Sequence, residues 1–265
     1  MELCAIAAVG TECDQAHSRS TFVSIWRVTW WQDRLYGGPN TGRLAAEFLR
    51  MVERYLDPSL DVLDLGAGSG LRNAYDFKGR ARRMVGVDLD PRVRDNPLLD
   101  EGVVGSLTDL PFEDASFDLA FSMYVLEHVA DPPQFVREVR RVLRPGGVFL
   151  ALTPNRNHYV PLLASILSER FQKWYNKKRG RDEEDTFPTV YRLNTLRDLK
   201  THFRREDFVL REFRAIEVQP RYLSFCVPAF LLGAAYERIV NATERLAGLR
   251  VNLMCAFEKR SHGED

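Results

Sequence analysis

Four short apolar runs alternate with helix-length segments between residues 61 and 155, and this alternation constrains the fold more than any other feature of the sequence. The runs are, in order, VLDL, RMVGVDLD, FDLAFSMY and GGVFLALTPN. Such alternation indicates βαβ units, which build a parallel sheet with helices on its faces. Two later runs, FVLREFRAIEVQ and LRVNLMCAFEK, predict two more strands towards the end of the sequence.

Helical patterns fill the gaps between these runs. The segment DPPQFVREVRRVLRPGG predicts a helix that Asp131 caps, with two prolines in its first turn and an apolar face that includes Phe135. A helix with apolar residues at three-to-four spacing is predicted before the first run and is closed by Pro58. Another helix is predicted to begin at Asn194, as its cap, and to run to about Arg205.

Composition limits the class of protein. The chain has 265 residues, 37 basic and 37 acidic, and an apolar content that rules out disorder as its main state. A net charge of zero argues against a dedicated nucleic-acid binder. Four cysteines without CxxC spacing, no signal-peptide pattern and no run of spanning length favour a cytoplasmic protein without a metal site. We expect an N-terminal tail and helical cap over 1–57 and a main domain over 58–265, with insertions at about 156–192 and 222–246.

A glycine-rich loop, DLGAGSG, follows the first predicted strand from Asp64 to Gly70. Glycines let a backbone approach a ligand closely and accept positive φ. The spacing is GxGxG: Leu71 stands where a dinucleotide fold has its third glycine, and no Gly-Lys-Ser/Thr of a phosphate loop follows. The carboxylate of Asp64 disfavours a pyrophosphate and suits a ligand with positive charge. Asp88 ends the next strand, where a carboxylate accepts hydrogen bonds from both hydroxyls of a ribose.

These motifs resemble those of class I methyltransferases that depend on S-adenosylmethionine (SAM). The matching segments are VLDLGAGSG, VGVDLDP, LPFEDASFDLAFSMYVLEHV and LRPGGVFLALTPN. The chain is most similar to the small-molecule branch, which contains quinone and sterol methyltransferases, and to uncharacterised bacterial members of it. The resemblance implies an α/β fold with a Rossmann-like sheet of seven strands, mostly parallel with the last strand antiparallel. It also implies helices on both faces, a helical insertion after strand five, and SAM as the cofactor of a methyltransferase.

The roles of the family's motif residues imply a cofactor site at the ends of several strands. Asp64 would face the methionine ammonium, Asp88 would hold the ribose, and Leu89 would pack on the adenine. Ser122 would lie near the sulfonium. The remaining implied contacts come from the glycine loop and the turn after strand three: Gly66, Ala67, Gly68, Gly70, Ser106 and Leu107. Ser106 stands where the family often has an aspartate, and its hydroxyl accepts a weaker bond than a carboxylate.

Two histidines are candidate catalytic residues. His128 lies in the sequence VLEHV after strand four, and the resemblance supports a general base there, since a neutral imidazole suits proton removal at neutral pH. The alternatives for His128 are pocket lining without proton transfer and a structural role in the turn or helix cap. Glu127 is the alternative base. His158 follows strand five beside Tyr159 and would line the acceptor pocket or lie on a surface loop.

The sequence favours a small-molecule acceptor, most commonly a hydroxyl in this branch. The sequence DPPQ resembles the (Asp/Asn)-Pro-Pro-Tyr motif of DNA and glutamine N-methyltransferases, but it comes too late and begins a helix. A lipid or lipid-linked sugar is an alternative, with peripheral membrane contact, because the first insertion combines apolar and basic residues as interfacial helices do. A non-catalytic SAM-binding scaffold is an alternative from another class. We expect no nucleic-acid partner and a monomer or homodimer.

Overall fold

The structure is a computed structural model, and it describes residues 28–38, 43–70, 75–166 and 189–261. Contacts within the chain divide it into two compact units. The smaller unit consists of Met1–Thr41 and Gln219–Ile239, and the larger unit consists of Gly42–Val218 and Val240–Asp265. The domain boundaries expected from the sequence stay a prediction.

Seven strands form one sheet in the described part of the larger unit. They are β1 (Asp61–Leu65), β2 (Arg83–Asp88), β3 (Glu101–Val104), β4 (Phe117–Met123), β5 (Leu143–Pro154), β6 (Phe208–Ile216) and β7 (Asn252–Lys259). Their order is β3-β2-β1-β4-β5-β7-β6. Neighbouring strands pair in parallel except β7, which is antiparallel to both β5 and β6. The predicted Rossmann-like sheet, mostly parallel with an antiparallel last strand, is confirmed.

The described residues also form six α-helices. They are α1 (28–36), α2 (Arg43–Tyr55), α3 (Pro132–Val142), α4 (Tyr159–Ile166), α5 (Leu196–Arg205) and α6 (Val227–Asn241). Neighbouring residues of β1 point to opposite faces of the sheet, and each face has its own core. Val62 packs in the cluster that contains α2, whereas Leu63 packs in the cluster that contains α3 and α5. The prediction of helices on both faces is therefore confirmed.

The sequence predicted which residues cap α3 and α5, and the structure shows the caps of both helices. The Asp131 carboxylate accepts the backbone N–H of Gln134 at 3.1 Å, so the predicted cap of α3 is confirmed. The predicted cap of α5 is wrong by one residue, because the Thr195 hydroxyl accepts the backbone N–H of Asp198 instead. The side chain of Asn194 is buried and donates to Thr153 Oγ1 at 2.6 Å. Asn194 thereby joins the start of α5 to the end of β5.

The first insertion begins with α4, which follows β5 closely along the chain. Its mixed apolar, basic and acidic stretch, at 167–188, lies outside the described residues, so its interfacial character stays a prediction. The chain returns from it at residues 189–192, on the side of the sheet where β4 and β5 end. This return places backbone against the turn that carries His128.

Candidate active site

The strand order gathers the predicted site at one edge of the sheet. In the order β3-β2-β1-β4-β5, successive strands are added on opposite sides of β1, so β1 and β4 form the topological switch point. Open α/β sheets bind ligands beyond the carboxyl ends of their strands at such a point. The glycine loop follows β1, Asp88 ends β2, and the VLEHV turn follows β4. The structure therefore brings the three principal motifs to the same edge.

The Asp88 carboxylate joins the end of β2 to the glycine loop. Its Oδ2 atom accepts the backbone N–H of Gly68 at 2.9 Å, and its Oδ1 atom accepts the backbone N–H of Asp90 at 2.8 Å. A carboxylate oxygen can accept more than one hydrogen bond, so both oxygens of Asp88 can still accept bonds from ligand hydroxyls. Leu89, the next residue, is 60% exposed and presents an apolar surface beside this carboxylate.

Two glycines of the loop lie where a larger residue would not fit. Gly66 has φ +84°, and a Cβ atom there would lie 2.4 Å from Val125 Cγ2 in the turn after β4. Gly70 has φ +75°, and its Cβ atom would lie 2.2 Å from Asn96 Oδ1. The close approach of Val125 and Asn96 thus explains why glycine stands at both positions. Around Gly68, no atom of the described residues other than Gly68 itself and its two chain neighbours lies within 4 Å of a Cβ atom placed there.

Asn96, which was not among the predicted site residues, supports the loop. Its Nδ2 atom donates to the carbonyl oxygens of Ala67 at 3.2 Å and Gly68 at 3.1 Å. Its Oδ1 atom accepts the backbone N–H of Leu98 at 2.9 Å. The side chain is buried, so these bonds satisfy groups that water does not reach. The bonds join residues 28 and 29 positions apart, and no motif predicts such a contact.

Asp64 lies beneath the loop and is only 2% exposed. The Tyr75 hydroxyl donates a hydrogen bond to its Oδ2 atom. Burial raises the pKa of Asp64 to about 7, the bond from Tyr75 opposes that rise, and repulsion by the Asp88 carboxylate adds to it. Tyr75 was not among the predicted site residues.

The turn after β3 carries the predicted adenine contacts. The Gly105 backbone N–H donates to the carbonyl oxygen of Asp88 at 3.0 Å, which places this turn beside the end of β2. Ser106 Oγ lies 2.9 Å from Thr108 Oγ1 and accepts the backbone N–H of Thr108 at 3.2 Å. Leu107 is partly buried and packs against the core. The Ser106 hydroxyl is thus already engaged within its own turn.

The end of β4 combines a buried hydroxyl with an unusual backbone. Ser122 is fully buried, and its Oγ atom has no hydrogen-bond partner among the residues that the structure describes. Tyr124, two residues on, has φ +61° and an exposed side chain. Non-glycine residues in this region are uncommon and concentrate at functional sites. Tyr124 is therefore a further candidate at the place where Ser122 was predicted to lie near the reacting group.

Hydrogen bonds from the backbone at the end of the first insertion hold the turn that carries His128. The carbonyl oxygen of Glu127 accepts the backbone N–H groups of Val190 at 2.8 Å and Tyr191 at 3.2 Å. The Glu127 side chain is buried and accepts a hydrogen bond from Thr153 Oγ1 at 3.4 Å. His128 is only partly buried. Of the two candidate bases in this turn, the imidazole of His128 is therefore the more accessible.

His158 is 1% exposed and lies at the start of α4. Its Nδ1 atom accepts the backbone N–H of Val160 at 3.3 Å, and its Nε2 atom lies 3.3 Å from Glu217 Oε2, which is also buried. The Nε2 atom thus faces a buried carboxylate. This geometry supports a role in fixing the start of α4, and the catalytic role stays a prediction. No three metal-binding side chains come together within the described ranges.

Comparison with known proteins finds a family match over the part of the chain that carries these motifs. Residues 63–151 match a family model described as a methyltransferase domain. The matched range runs from β1 into β5 and so includes the glycine loop, Asp88 and the His128 turn.

Curated relatives cover the same part of the chain. A protein of Mycolicibacterium smegmatis named "Probable S-adenosylmethionine-dependent methyltransferase" is 44% identical over 105 residues, which are 38% of this chain and 40% of that protein. An "Uncharacterized methyltransferase" of a Mycobacterium species is 34% identical over 158 residues, 56% of this chain and 62% of that protein. The chain therefore spans less than two thirds of the length of these relatives. These matches confirm a resemblance to SAM-dependent methyltransferases over this part of the chain.

A solved structure extends the likeness in fold. A chain from the complex between the Trm112 methyltransferase activator of Haloferax volcanii and a methyltransferase has a TM-score of 0.55. The sequences are 22% identical, and the match covers 96% of this chain and all of that one. At this identity the likeness concerns the fold alone.

Replacing Asn96 by alanine should lower the free energy of unfolding by about 1–3 kcal/mol, because the buried carbonyl oxygen of Ala67 and the partly buried one of Gly68 lose their donor. Urea unfolding of the purified protein measures this change. Asn157→Ala is the matched control, since Asn157 is exposed and its loss should cost less than about 0.5 kcal/mol. Equal losses in the two variants would contradict the supporting role of Asn96.

Proposed function

We propose that this protein is a SAM-dependent methyltransferase that transfers a methyl group to a small molecule, with a hydroxyl as the acceptor group. The observation that carries the proposal is the Asp88 carboxylate, which ends β2 and accepts the backbone N–H of Gly68. A carboxylate in this position is suited to a ribose at the switch point of the sheet. The names of the relatives support SAM as the methyl donor.

The residues present fit this cofactor. Asp88 would accept hydrogen bonds from the ribose hydroxyls, and the exposed side chain of Leu89 would pack on the adenine. The open space around Gly68 leaves room for the cofactor against the loop. Asp64 would attract the methionine ammonium once its carboxyl group is ionised. Bound SAM supplies a methyl group on a sulfonium, which is a good leaving group.

The chain's own contribution to catalysis is then positioning and proton removal. Alignment of acceptor, methyl group and sulfur accounts for much of the rate enhancement in such a displacement. A hydroxyl acceptor must also lose its proton, which His128 would accept on its imidazole. The hydrogen bonds from residues 190–191 to Glu127 support this role, because they fix the turn that carries the imidazole.

Replacing Asp88 by alanine should weaken binding of S-adenosylhomocysteine (SAH), the demethylated cofactor, by about 1–3 kcal/mol, since charge-assisted bonds to the ribose are lost. Titration calorimetry measures the affinity. Asp95→Ala removes an equal charge from an exposed neighbouring position and should leave the affinity unchanged. Tight binding of NAD without any SAH binding would contradict the proposed cofactor.

Replacing His128 by alanine should preserve the fold and SAH affinity but lower methyl transfer by about 10²–10⁴-fold, the usual contribution of a general base. The acceptor for this assay comes from host extract incubated with the enzyme and isotopically labelled methyl-SAM, followed by mass spectrometry. His202→Ala, on α5, is the control and should retain full activity.

Two other results would change the interpretation of His128. A His128→Ala protein that unfolds would indicate a structural role, and one with normal turnover would show that positioning suffices. SAH binding without a labelled product from any extract would favour the non-catalytic scaffold.

A second candidate is methylation of a lipid or lipid-linked sugar, and the smaller unit carries the observation that favours it. Leu232 and Ile239 are 71% and 60% exposed, and they lie seven residues apart, on one face of α6. Phe225, just before this helix, is also exposed. Exposed apolar side chains that share a helix face are typical of surfaces that contact partners or membranes. None of the described helices is long and apolar enough to span a bilayer.

The double substitution Leu232→Glu with Ile239→Glu should abolish flotation of the protein with vesicles of phosphatidylcholine and phosphatidylglycerol, because two apolar contacts become charged. Leu249→Glu alters an exposed leucine of the larger unit and should leave flotation intact. If the unsubstituted protein does not float, the lipid candidate fails and the small-molecule acceptor stands.

A further inference from the structure

We propose that Tyr75 is a positioning residue for the cofactor: its hydroxyl holds the Asp64 carboxylate in place and, through it, makes cofactor binding depend on pH near neutrality. The inference rests on the proposed function, because the ligand it concerns is the methionine ammonium of SAM or SAH. The family resemblance implies a role for Asp64, which belongs to the glycine-loop motif. Tyr75 follows that motif, and the resemblance implies no role for it.

Among the described residues, the Asp64 carboxylate has few partners. In the sheet it lies between Gly86 of β2 and Phe121 of β4, neither of which carries a charge. The side chain is buried, and the Tyr75 hydroxyl donates to its Oδ2 atom. A buried carboxylate needs a hydrogen-bond donor or a cation, and the structure gives it a neutral donor.

Packing fixes the orientation of the Tyr75 ring. The ring stacks on Phe77, with centroids 5.3 Å apart, and meets Phe121 edge-on at 5.5 Å. Tyr75 is itself buried, in the same core cluster as Phe77 and Phe121. Because the ring is held on two sides, its hydroxyl has a defined position relative to Asp64. Such support by packing is what a precise ligand-binding group requires.

The charged groups that act on Asp64 are few. Among the described residues, Tyr75 contributes a hydrogen bond and Asp88, at the end of the neighbouring strand, contributes a negative charge; no lysine, arginine or histidine compensates. Burial raises the pKa of Asp64 to about 7, the Tyr75 hydrogen bond lowers it, and Asp88 raises it. The carboxyl group is therefore divided between its two protonation states near neutral pH.

The direction of the pH effect follows from these charges. An ammonium binds the ionised carboxylate and gains little from the protonated acid. Affinity for SAH should thus rise as the pH increases through about 7 and should level off above it. Removing the Tyr75 hydroxyl removes a bond that favours ionisation, so the rise should move to higher pH.

Calorimetric titration of the full chain with SAH between about pH 5.5 and 8 tests this inference, since the amino group of SAH is that of a free amino acid, more basic than a peptide N-terminus, and keeps its proton over that range. Tyr75→Phe keeps the stacked ring and removes the hydroxyl. We expect it to bind SAH about tenfold more weakly than the unsubstituted protein at the acidic end, with the difference shrinking at the alkaline end, as a shift of one pKa unit implies. Asp64→Asn should abolish the pH dependence.

Tyr55→Phe is the matched control, because it removes a tyrosine hydroxyl that lies near Glu212 of β6 and not near Asp64. It should leave the pH profile unchanged. An equal loss of affinity at every pH in Tyr75→Phe would indicate a merely structural tyrosine and overturn the inference. So would a pH dependence that survives in Asp64→Asn, or an unsubstituted protein whose SAH affinity does not change with pH. Failure to bind SAH at any pH would instead contradict the proposed function.

Discussion

The hydrogen bond from the Gly68 backbone to the Asp88 carboxylate is the interaction on which the candidate site depends. It joins the loop after β1 to the end of β2, and the same carboxylate accepts the Asp90 backbone N–H. The loop therefore cannot shift without breaking a charge-assisted bond. Asn96 holds the opposite side of the loop through two carbonyl oxygens. One backbone conformation thus presents both an anionic group and open space to a ligand.

Gly66 connects the glycine loop to the turn that carries the candidate base, His128. The glycine packs so closely on Val125 that a Cβ atom would overlap it, and Val125 begins the turn that carries His128. On the other side of that turn, Glu127 receives two backbone N–H groups from the chain as it returns from the first insertion. The glycine loop and the turn that carries His128 are therefore parts of one packed assembly, and a change in either would affect the position of the imidazole.

Much of the fold could be predicted because local patterns and the strand order agree. Buried parallel strands show up as short apolar runs, and the Asp131 cap with its prolines specifies α3. The Asn194 cap was wrong because Asn and Thr cap helices almost equally well, and the Asn194 amide instead turns inward to the Thr153 hydroxyl and the Pro154 carbonyl oxygen. Local sequence does not encode that contact.

The same limit applies to the site. Asp64, Asp88 and the glycines belong to a motif and could be found from their spacing. Asn96 and Tyr75 act through contacts that arise when separate segments pack together, and their residue types carry no signal of their own. Glu217 reaches His158 from 59 positions along the chain, which only the antiparallel end of the sheet makes possible. Side chains that support a site are in general less predictable than the side chains that form it.

A crystal structure of this chain with SAH tests the central claim most directly, because it locates each part of the cofactor relative to the loop. The account predicts that both ribose hydroxyls lie within hydrogen-bond distance of the Asp88 carboxylate, with the methionine ammonium over Asp64 and the sulfur near the end of β4. A ribose bound elsewhere, with the Asp88 carboxylate still bonded only to backbone N–H groups, would contradict it.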